Sequence, residues 1–382
     1  MPTVHSREHP SLPSDGSGVN VFCTVLPNRP VGRRSRPFFV LGILELMAIE
    51  ESAATVVATQ QSGSEDVSLD TTLRPRRLRE FVGQRQLKKS LQVFLEAAKG
   101  RGESLEHVLL AGPPGLGKTS LAHILSHELG ANIRVTAGPA LTRVADLAGI
   151  LTSLQAGDVL FVDEIHRLHR SVEEVLYPAM EDFALDLVVG QGPGARTLRL
   201  DLPAFTLVGA TTRMGMLGSP LRDRFGITFR LEFYAEDEMR DILQRSATLL
   251  RVACDEAALA EIAGRCRRTP RVANRLLKRV RDFAQVHNHA IVTVATVRAA
   301  LELLDVDGAG LDAVDRRVLA VMIDQFDGGP VGLQTLSAVL AEEQRTLEEV
   351  VEPFLLQAGF LQRTPRGRLV TEAGRTHLER EA

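Results

Sequence analysis

Residues 112–119, GPPGLGKT, follow the apolar run 107–111 and precede the apolar-periodic stretch 120–129. The chain therefore carries a strand, a glycine-rich loop and a helix in immediate succession. The spacing G-x-x-x-x-G-K-[ST] sets glycines, Gly117 among them, where the backbone must curl tightly enough for successive N–H groups and a helix N-terminus to converge on one anion. This constrains the fold to an α/β class, a P-loop nucleotide-binding domain. Lys118 is expected to reach the β and γ phosphates of ATP, and Thr119 to ligate Mg2+. The competing reading, an incidental glycine turn, leaves the flanking strand and helix unexplained.

A chain of 382 residues has room for two or three domains. Its cysteines, Cys23, Cys254 and Cys266, lie far apart in no metal-ligand spacing, which fits a reducing, cytoplasmic setting without a disulfide framework. The net charge of -3 excludes a global positive field, so any nucleic-acid contact must come from local basic patches. The longest hydrophobic stretch, 38–44, falls well short of the roughly 20 residues that a spanning helix needs, so no membrane segment is expected. Arg33, Arg34 and Arg36 ahead of it imitate a signal-peptide n-region. Residues 1–46 are rich in Pro, Ser, Gly and Arg, and Met47 opens a more ordinary start. The expectation is a disordered extension over 1–62 with translation beginning near Met47, a large ATPase domain over 63–232, a small helical lid over 233–304 and a C-terminal domain over 305–382.

Residues 157–166, GDVLFVDEIH, form an apolar β-rich run that ends in two carboxylates. Open α/β sheets place their ligands at such strand ends. Asp163 is expected in the Mg2+ shell and Glu164 as the residue that orients and deprotonates the attacking water. The bland alternative is a strand that happens to end in two acids. A third strand, 204–210, ends in Thr211-Thr212-Arg213, where Thr212 could hydrogen-bond the γ-phosphate or its water; polar strand ends are common, so that signal is weak alone. The segment 219–226, SPLRDRFG, resembles the arginine-finger segment of AAA+ ATPases, which implies that Arg224 completes a neighbouring subunit's site. Arg267-Arg-Thr-Pro-Arg271 precedes an amphipathic helix with proline near its first turn. Most of that cluster reads as a solvated basic face, and Arg271 is singled out as a second sensor.

With these motifs assembled, the chain resembles the RuvB family of bacterial branch-migration motors from about Leu73 to Thr376. The resemblance is carried by LRPRRLREFVGQ (73–84), DEIHRL (163–168), EEVLYPAMED (173–182), LEFY (231–234) and GFLQRTPRGR (359–368). It implies an AAA+ large domain, a helical lid and a winged helix. It also implies that Leu73 and Arg74 flank the adenine, that Gly115, Lys118, Thr119 and Ser120 hold the phosphates, and that Tyr234 lies against the nucleotide between the lobes. Glu181, Asp182 and Phe183 are carried over as nucleotide-proximal. Three departures stand out: Arg268 where the family usually has glycine, Phe81 for a common tyrosine, and Gln344-Arg345 where many relatives carry the basic residue one position earlier. Neither of the last two residues is assigned to DNA.

Residues 184–189 and 197–202 flank Gly190-Gln-Gly-Pro-Gly194 and read as a hairpin. By family resemblance it projects to dock the partner RuvA, with Leu198 and Leu200 as the contacts; otherwise these leucines face the core. Beyond Gly308, helical periodicity over 311–326, a break at 328–330 and two shorter helical stretches precede a turn at 364–367, which suggests a winged helix. Arg363, Arg366 and Arg368 gather at its wing, and Arg363 and Arg368 are assigned to DNA phosphates, which give affinity without base reading. The reading is an ATP-driven motor on double-stranded DNA at Holliday junctions, a hexameric ring working with RuvA and, by the same resemblance, with the RuvC resolvase. A clamp-loader ATPase and a DNA-binding regulator that uses ATP as an assembly switch remain alternatives. The first predicts neither the hairpin nor the winged helix, and the second requires base-specific contacts.

Overall fold

The computed structural model describes residues 72–189 and 196–381. The extension 1–62, Cys23, the Met47 start and the glycine turn at 190–194 lie outside the described residues.

Five parallel strands form the central sheet: β1 (Val108–Ala111), β2 (Ile133–Ala137), β3 (Val159–Asp163), β6 (Thr206–Thr211) and β7 (Ile227–Arg230), in the spatial order β2-β3-β6-β1-β7. The sheet is apolar on both faces because successive side chains point to opposite sides. Val108 and Leu110, Val159 and Phe161, and Val208 and Ala210 enter one core, with helices α1 (Arg85–Arg101) and α2 (Lys118–Leu129). Leu109, Leu160, Val162 and Leu207 enter the other, with α3 (Val144–Thr152) and α4 (Arg170–Glu181). Ala111 pairs with Thr211 and Val162 with Gly209, so the C-terminal ends of β1, β3 and β6 finish at nearly one level. The loops that leave those ends carry the motifs.

An antiparallel hairpin, β4 (Ala184–Val189) with β5 (Arg196–Asp201), stands outside this sheet with Leu187 opposite Leu198 and Leu185 opposite Leu200. Leu200 packs against the large-domain core, whereas Leu198 is exposed. The two leucines expected to act together are thus separated: the one nearer the hairpin root is taken up by packing.

The short helix α5 (Ser219–Arg222) leads into β7, and the lid follows as α6 (Glu236–Leu250), α7 (Glu256–Arg265), α8 (Pro270–Val286) and α9 (Val294–Leu303). Pro270 occupies the first turn of α8, where its missing N–H costs nothing. Arg268, just before it, has φ 52°, a left-handed conformation that glycine adopts without penalty. The departure from the family's glycine is accommodated there at a strain of about 1–2 kcal/mol. Met239, Leu243, Ile262 and Leu277 of the lid join the same apolar core as Val108 and Phe161, so lid and sheet are joined by packing.

The C-terminal domain has a core of its own, built from Leu319, Met322, Leu336, Leu355 and their neighbours. It comprises α10 (Ala313–Phe326), α11 (Leu333–Leu340), a helical stretch running from α12 (Gln344–Thr346) through a π turn (Leu347–Val351) into α13 (Glu352–Gln357), the wing strands β8 (Leu361–Thr364) and β9 (Gly367–Val370), and α14 (Glu372–Glu381). Asp312 caps α10 by accepting from the Val314 and Asp315 amides. The last helix, after the wing, has no counterpart in the sequence expectation. Among the described residues, no helix is long and apolar enough to cross a membrane.

Candidate active site

The loop 112–117 leaves β1 and delivers the chain into α2. Gly117 has φ 99°, and a Cβ there would stand 3.1 Å from the Phe81 ring, so that ring occupies the space a side chain would need. Gly115 has φ 81° and a Cβ there would lie 3.1 Å from Cβ of Arg271. The start of α8 therefore rests directly on the loop, and the Arg271 amide faces the Gly115 carbonyl at 3.4 Å. Two residues far apart in sequence, Lys118 and Arg271, are thereby brought to one place.

Lys118 is buried, with Nζ donating to the carbonyls of Gly112 at 2.7 Å and Pro113 at 2.8 Å. Burial lowers its pKa from 10.5 to about 8, against the opposing charge of Asp163 and with the help of Arg271. Among the described residues, no carboxylate lies within ion-pair distance of it. Asp163 ends β3 and accepts from the Glu164 amide at 2.9 Å. Burial raises its carboxyl despite that amide and Lys118. Thr212, one residue past β6, has a buried Oγ1 with no hydrogen-bond partner among the described residues. Its neighbour Thr211 is engaged with His166 Nδ1 at 2.9 Å.

The donor set fits a magnesium triphosphate. A glycine cradle without side chains, a buried ammonium and an orphaned buried hydroxyl are costly features in an apolar setting unless a polyanion satisfies them. No group of three or more His, Cys, Asp or Glu suited to a metal occurs among the described residues. Asp163 at the end of β3 and the Thr119 hydroxyl at the start of α2 are oxygen donors of the kind Mg2+ uses together with phosphate oxygens and water. Thr119 and Ser120 open α2 at the mouth of the loop, half-buried. Tyr234 is buried, its hydroxyl donating to the Leu116 carbonyl at 3.0 Å, so it braces the loop from below. The Leu73 carbonyl accepts from Arg245 Nη1 of the lid at 2.7 Å, and Arg74 lies near enough to His123 of α2 to lower its pKa, after burial.

The remaining expected residues lie elsewhere. Ile227 of β7 pairs with Val108, the first residue of β1, so the segment 219–226 ends at the strand-start end of the sheet, away from the loop, with Gly226 against Glu106. About 10 Å of strand separates the two. There Arg224 lies 3.1 Å from Glu181, although Nε lacks hydrogen-bond alignment, and stacks 4.4 Å over the Tyr177 ring. Asp182 pairs with Arg199 of the hairpin at 2.8 Å, and the Phe183 ring sits against His107 and Phe205. Glu181 accordingly meets Arg224, Asp182 meets the hairpin and Phe183 packs on His107 and Phe205.

At the wing, Arg363 and Arg368 both grip the buried carboxylate of Glu352, at 2.8–3.1 Å. Burial pushes this carboxyl up, but the hydrogen bonds from Arg363 and Arg368 outweigh it and hold the pKa low. Arg366 at the turn is exposed. Sequence reasoning did not find the contacts between this domain and the loop end of the sheet. Arg345 donates to Glu164 at 2.7 Å and to Glu349 at 2.9 Å, and Arg213 pairs with Glu348 at 2.7 Å and Glu349 at 3.1 Å. Glu164 and Arg345 stand 181 positions apart in sequence, and no local pattern signals the pairing.

A parallel sheet with a phosphate loop at its C-terminal edge, a helical lid seated on that loop and a separate winged helix define a P-loop ATPase of the AAA+ class. Family models match throughout: the RuvB P-loop domain over 73–231, the RuvB AAA lid over 234–307 and the RuvB C-terminal winged helix over 308–379. The chain belongs to the RuvB family. The solved Thermotoga maritima RuvB, described as a Holliday junction branch migration motor, is 54% identical, aligns over 81% of this chain and 98% of its own, and superposes with a TM-score of 0.75. An alanine-to-serine variant of that protein gives 54% identity, 80% and 98% coverage, and a TM-score of 0.76.

Proposed function

We propose that this chain is an ATP-hydrolysing motor that assembles as a hexameric ring on duplex DNA and, with RuvA holding the four-way junction, drives branch migration in recombination and repair in the cytoplasm, handing junctions to the RuvC resolvase. Its parts are a large ATPase domain over 63–232, a lid over 233–304 and a DNA-binding winged helix over 305–382.

MgATP supplies the phosphoryl group to be transferred to water and a divalent cation that offsets its charge. Lys118, the loop amides and Arg271 hold the phosphates, and Thr119 and Asp163 hold the metal. Glu164 orients the water and accepts its proton, and the Thr212 hydroxyl fixes the water or the terminal phosphate. Arg271 belongs to the lid, so its grip ties lid position to nucleotide state. The exposed Leu198 offers the hairpin's apolar contact to RuvA, and the wing arginines offer contacts to DNA phosphates.

The observation that carries this reading is the placement of Arg224 towards the strand-start end of the sheet, away from its own loop. A finger so placed can serve only a neighbouring copy, and fingers contribute roughly 10³ to 10⁵ in rate. The test mixes two variants that are each inactive, Arg224→Ala and Lys118→Ala. In mixed rings, intact fingers from one should meet intact loops from the other and restore hydrolysis and RuvA-stimulated branch migration. Failure of the mixture to recover any turnover, with assembly intact, would sink the shared-site reading.

A further inference from the structure

The winged helix joins the large domain through charge. Its hydrophobic core is separate from the other two, and the contacts at the loop end of the sheet form an alternating chain: Glu164, Arg345, Glu349, Arg213, Glu348. Both ends matter chemically. Glu164 is the carboxylate assigned to the water, and Arg213 directly follows Thr212, its amide fixed to Thr211 Oγ1 at 3.0 Å.

Glu164 Oε2 accepts from Arg345 Nη2 at 2.7 Å, with Arg167 at 3.8 Å and His166 at 3.9 Å as its other neighbours. A general base must present an oxygen within about 2.6–3.2 Å of the proton it takes. Here Oε2, one of the two oxygens of Glu164, is committed to a guanidinium from another domain, which fixes how the carboxylate points. Arg345 cannot follow Glu164 if the winged helix moves, because Arg345 is fixed in turn by Glu349 on its own helical stretch.

We propose that Arg345 is a positioning residue for Glu164: the docked winged helix holds the carboxylate off the attacking water, and displacement of that domain admits it. Load on the wing then becomes a control on hydrolysis, exerted through an arginine that touches none of the phosphate-loop residues. The inference rests on the assignment of Glu164 to the water. Release parts the ion pairs of Arg345 with Glu164 and of Arg213 with Glu348 and Glu349, whose side chains are 16–40% exposed, and opens no shared apolar core, while the buried pairing of Arg267 with Asp312 and Asp315 keeps the winged helix tethered to the lid.

The experiment compares the full-length protein with Arg345→Ala and with Arg345→Ala/Glu348→Ala, each with and without duplex DNA. Two readouts are taken. One is ATP turnover, as kcat and KM. The other is the distance between spin labels on Glu174→Cys and Glu379→Cys, with Cys23 and Cys254 replaced by serine. Arg345→Ala should raise the DNA-free kcat by about fivefold, the equivalent of about 1 kcal/mol, with KM unchanged. Stimulation by DNA should shrink by the same factor, and the label distances should broaden without nucleotide. Unchanged or lower DNA-free kcat in both variants overturns the proposal, whatever the distances show. Absence of any turnover in the parent protein would instead overturn the ATPase reading beneath it.

Discussion

Cations are treated in opposite ways at the two ends of this protein. Around the phosphate loop, Lys118 is buried, its hydrogen bonds among the described residues going to two backbone carbonyls, and Arg271 beside it adds a second positive charge that lowers its pKa further. At the wing, Arg363 and Arg368 close on the single carboxylate of Glu352, which holds both guanidinium groups in place and offsets one of their two charges. A buried cation without a counter-ion destabilises the fold unless something else pairs with it. The loop end therefore sacrifices stability for an anion, whereas the wing uses a carboxylate to aim its arginines. Function at the first site is written in what is unsatisfied, at the second in what is held still.

The largest effect expected from this contrast is at Lys118. Lys118→Met should lower turnover by on the order of 10²-fold or more, as loss of a charge-stabilising donor does. It should also raise the unfolding midpoint of the nucleotide-free protein, because a desolvated charge is exchanged for an apolar chain of similar length. Steady-state kinetics and a thermal melt check the two halves. A midpoint that falls would place Lys118 among the structurally paired cations and erase the contrast.

The sequence made the loop end legible because its chemistry is local. Residues 112–119 and 157–166 each carry their strand, their turn and their functional side chain within ten or so positions, and helix and strand periodicities place them at a common sheet edge. Arg271 was reachable for the same reason: Pro270 marks the helix start that points it at the loop. What stayed hidden depends on tertiary meetings. Glu352 shows no sign in sequence that it will be buried between two arginines, and nothing local in sequence announces that Glu181 will meet Arg224 or Asp182 the hairpin's Arg199. Leu198 and Leu200 are equivalent by alternation, yet only the root of the hairpin reaches the core.

A smaller effect is expected in the pH dependence of nucleotide binding. In the free protein Lys118 loses its proton near pH 8, and bound phosphates favour the charged form, so its pKa is higher in the complex. Below about pH 8 both states carry the proton and affinity is flat in this respect; as pH rises through that value, binding must take up a proton, and affinity falls by up to about tenfold per unit. Calorimetry in buffers of different ionisation heat should detect proton uptake at pH 9 and none from this group at pH 7. The same shift makes the empty fold gain stability from this group as pH climbs from about 8 towards 10.5. Affinity that is level from pH 7 to 9.5 would mean that Lys118 is not the phosphate ligand.

The finest distinction lies within the wing itself. Arg366 is exposed at the turn, whereas Arg368 is mostly buried against Glu352, with 15% of its side chain exposed. Arg366→Ala should leave the melt unchanged and reduce the slope of log affinity against log salt for duplex DNA by about 0.9, one phosphate's share of released counterions. Arg368→Ala removes two hydrogen bonds from a buried carboxylate and should destabilise the domain by about 1–3 kcal/mol, with any loss of DNA affinity accompanied by a lower melting midpoint. Arg363 should fall between them, since its side chain is 53% exposed and its two bonds to Glu352 engage only Nε and Nη2. Equal salt slopes and equal melts for all three alanine variants would show that Glu352 does no orienting, and that these arginines are held for an anion in the same way as Lys118.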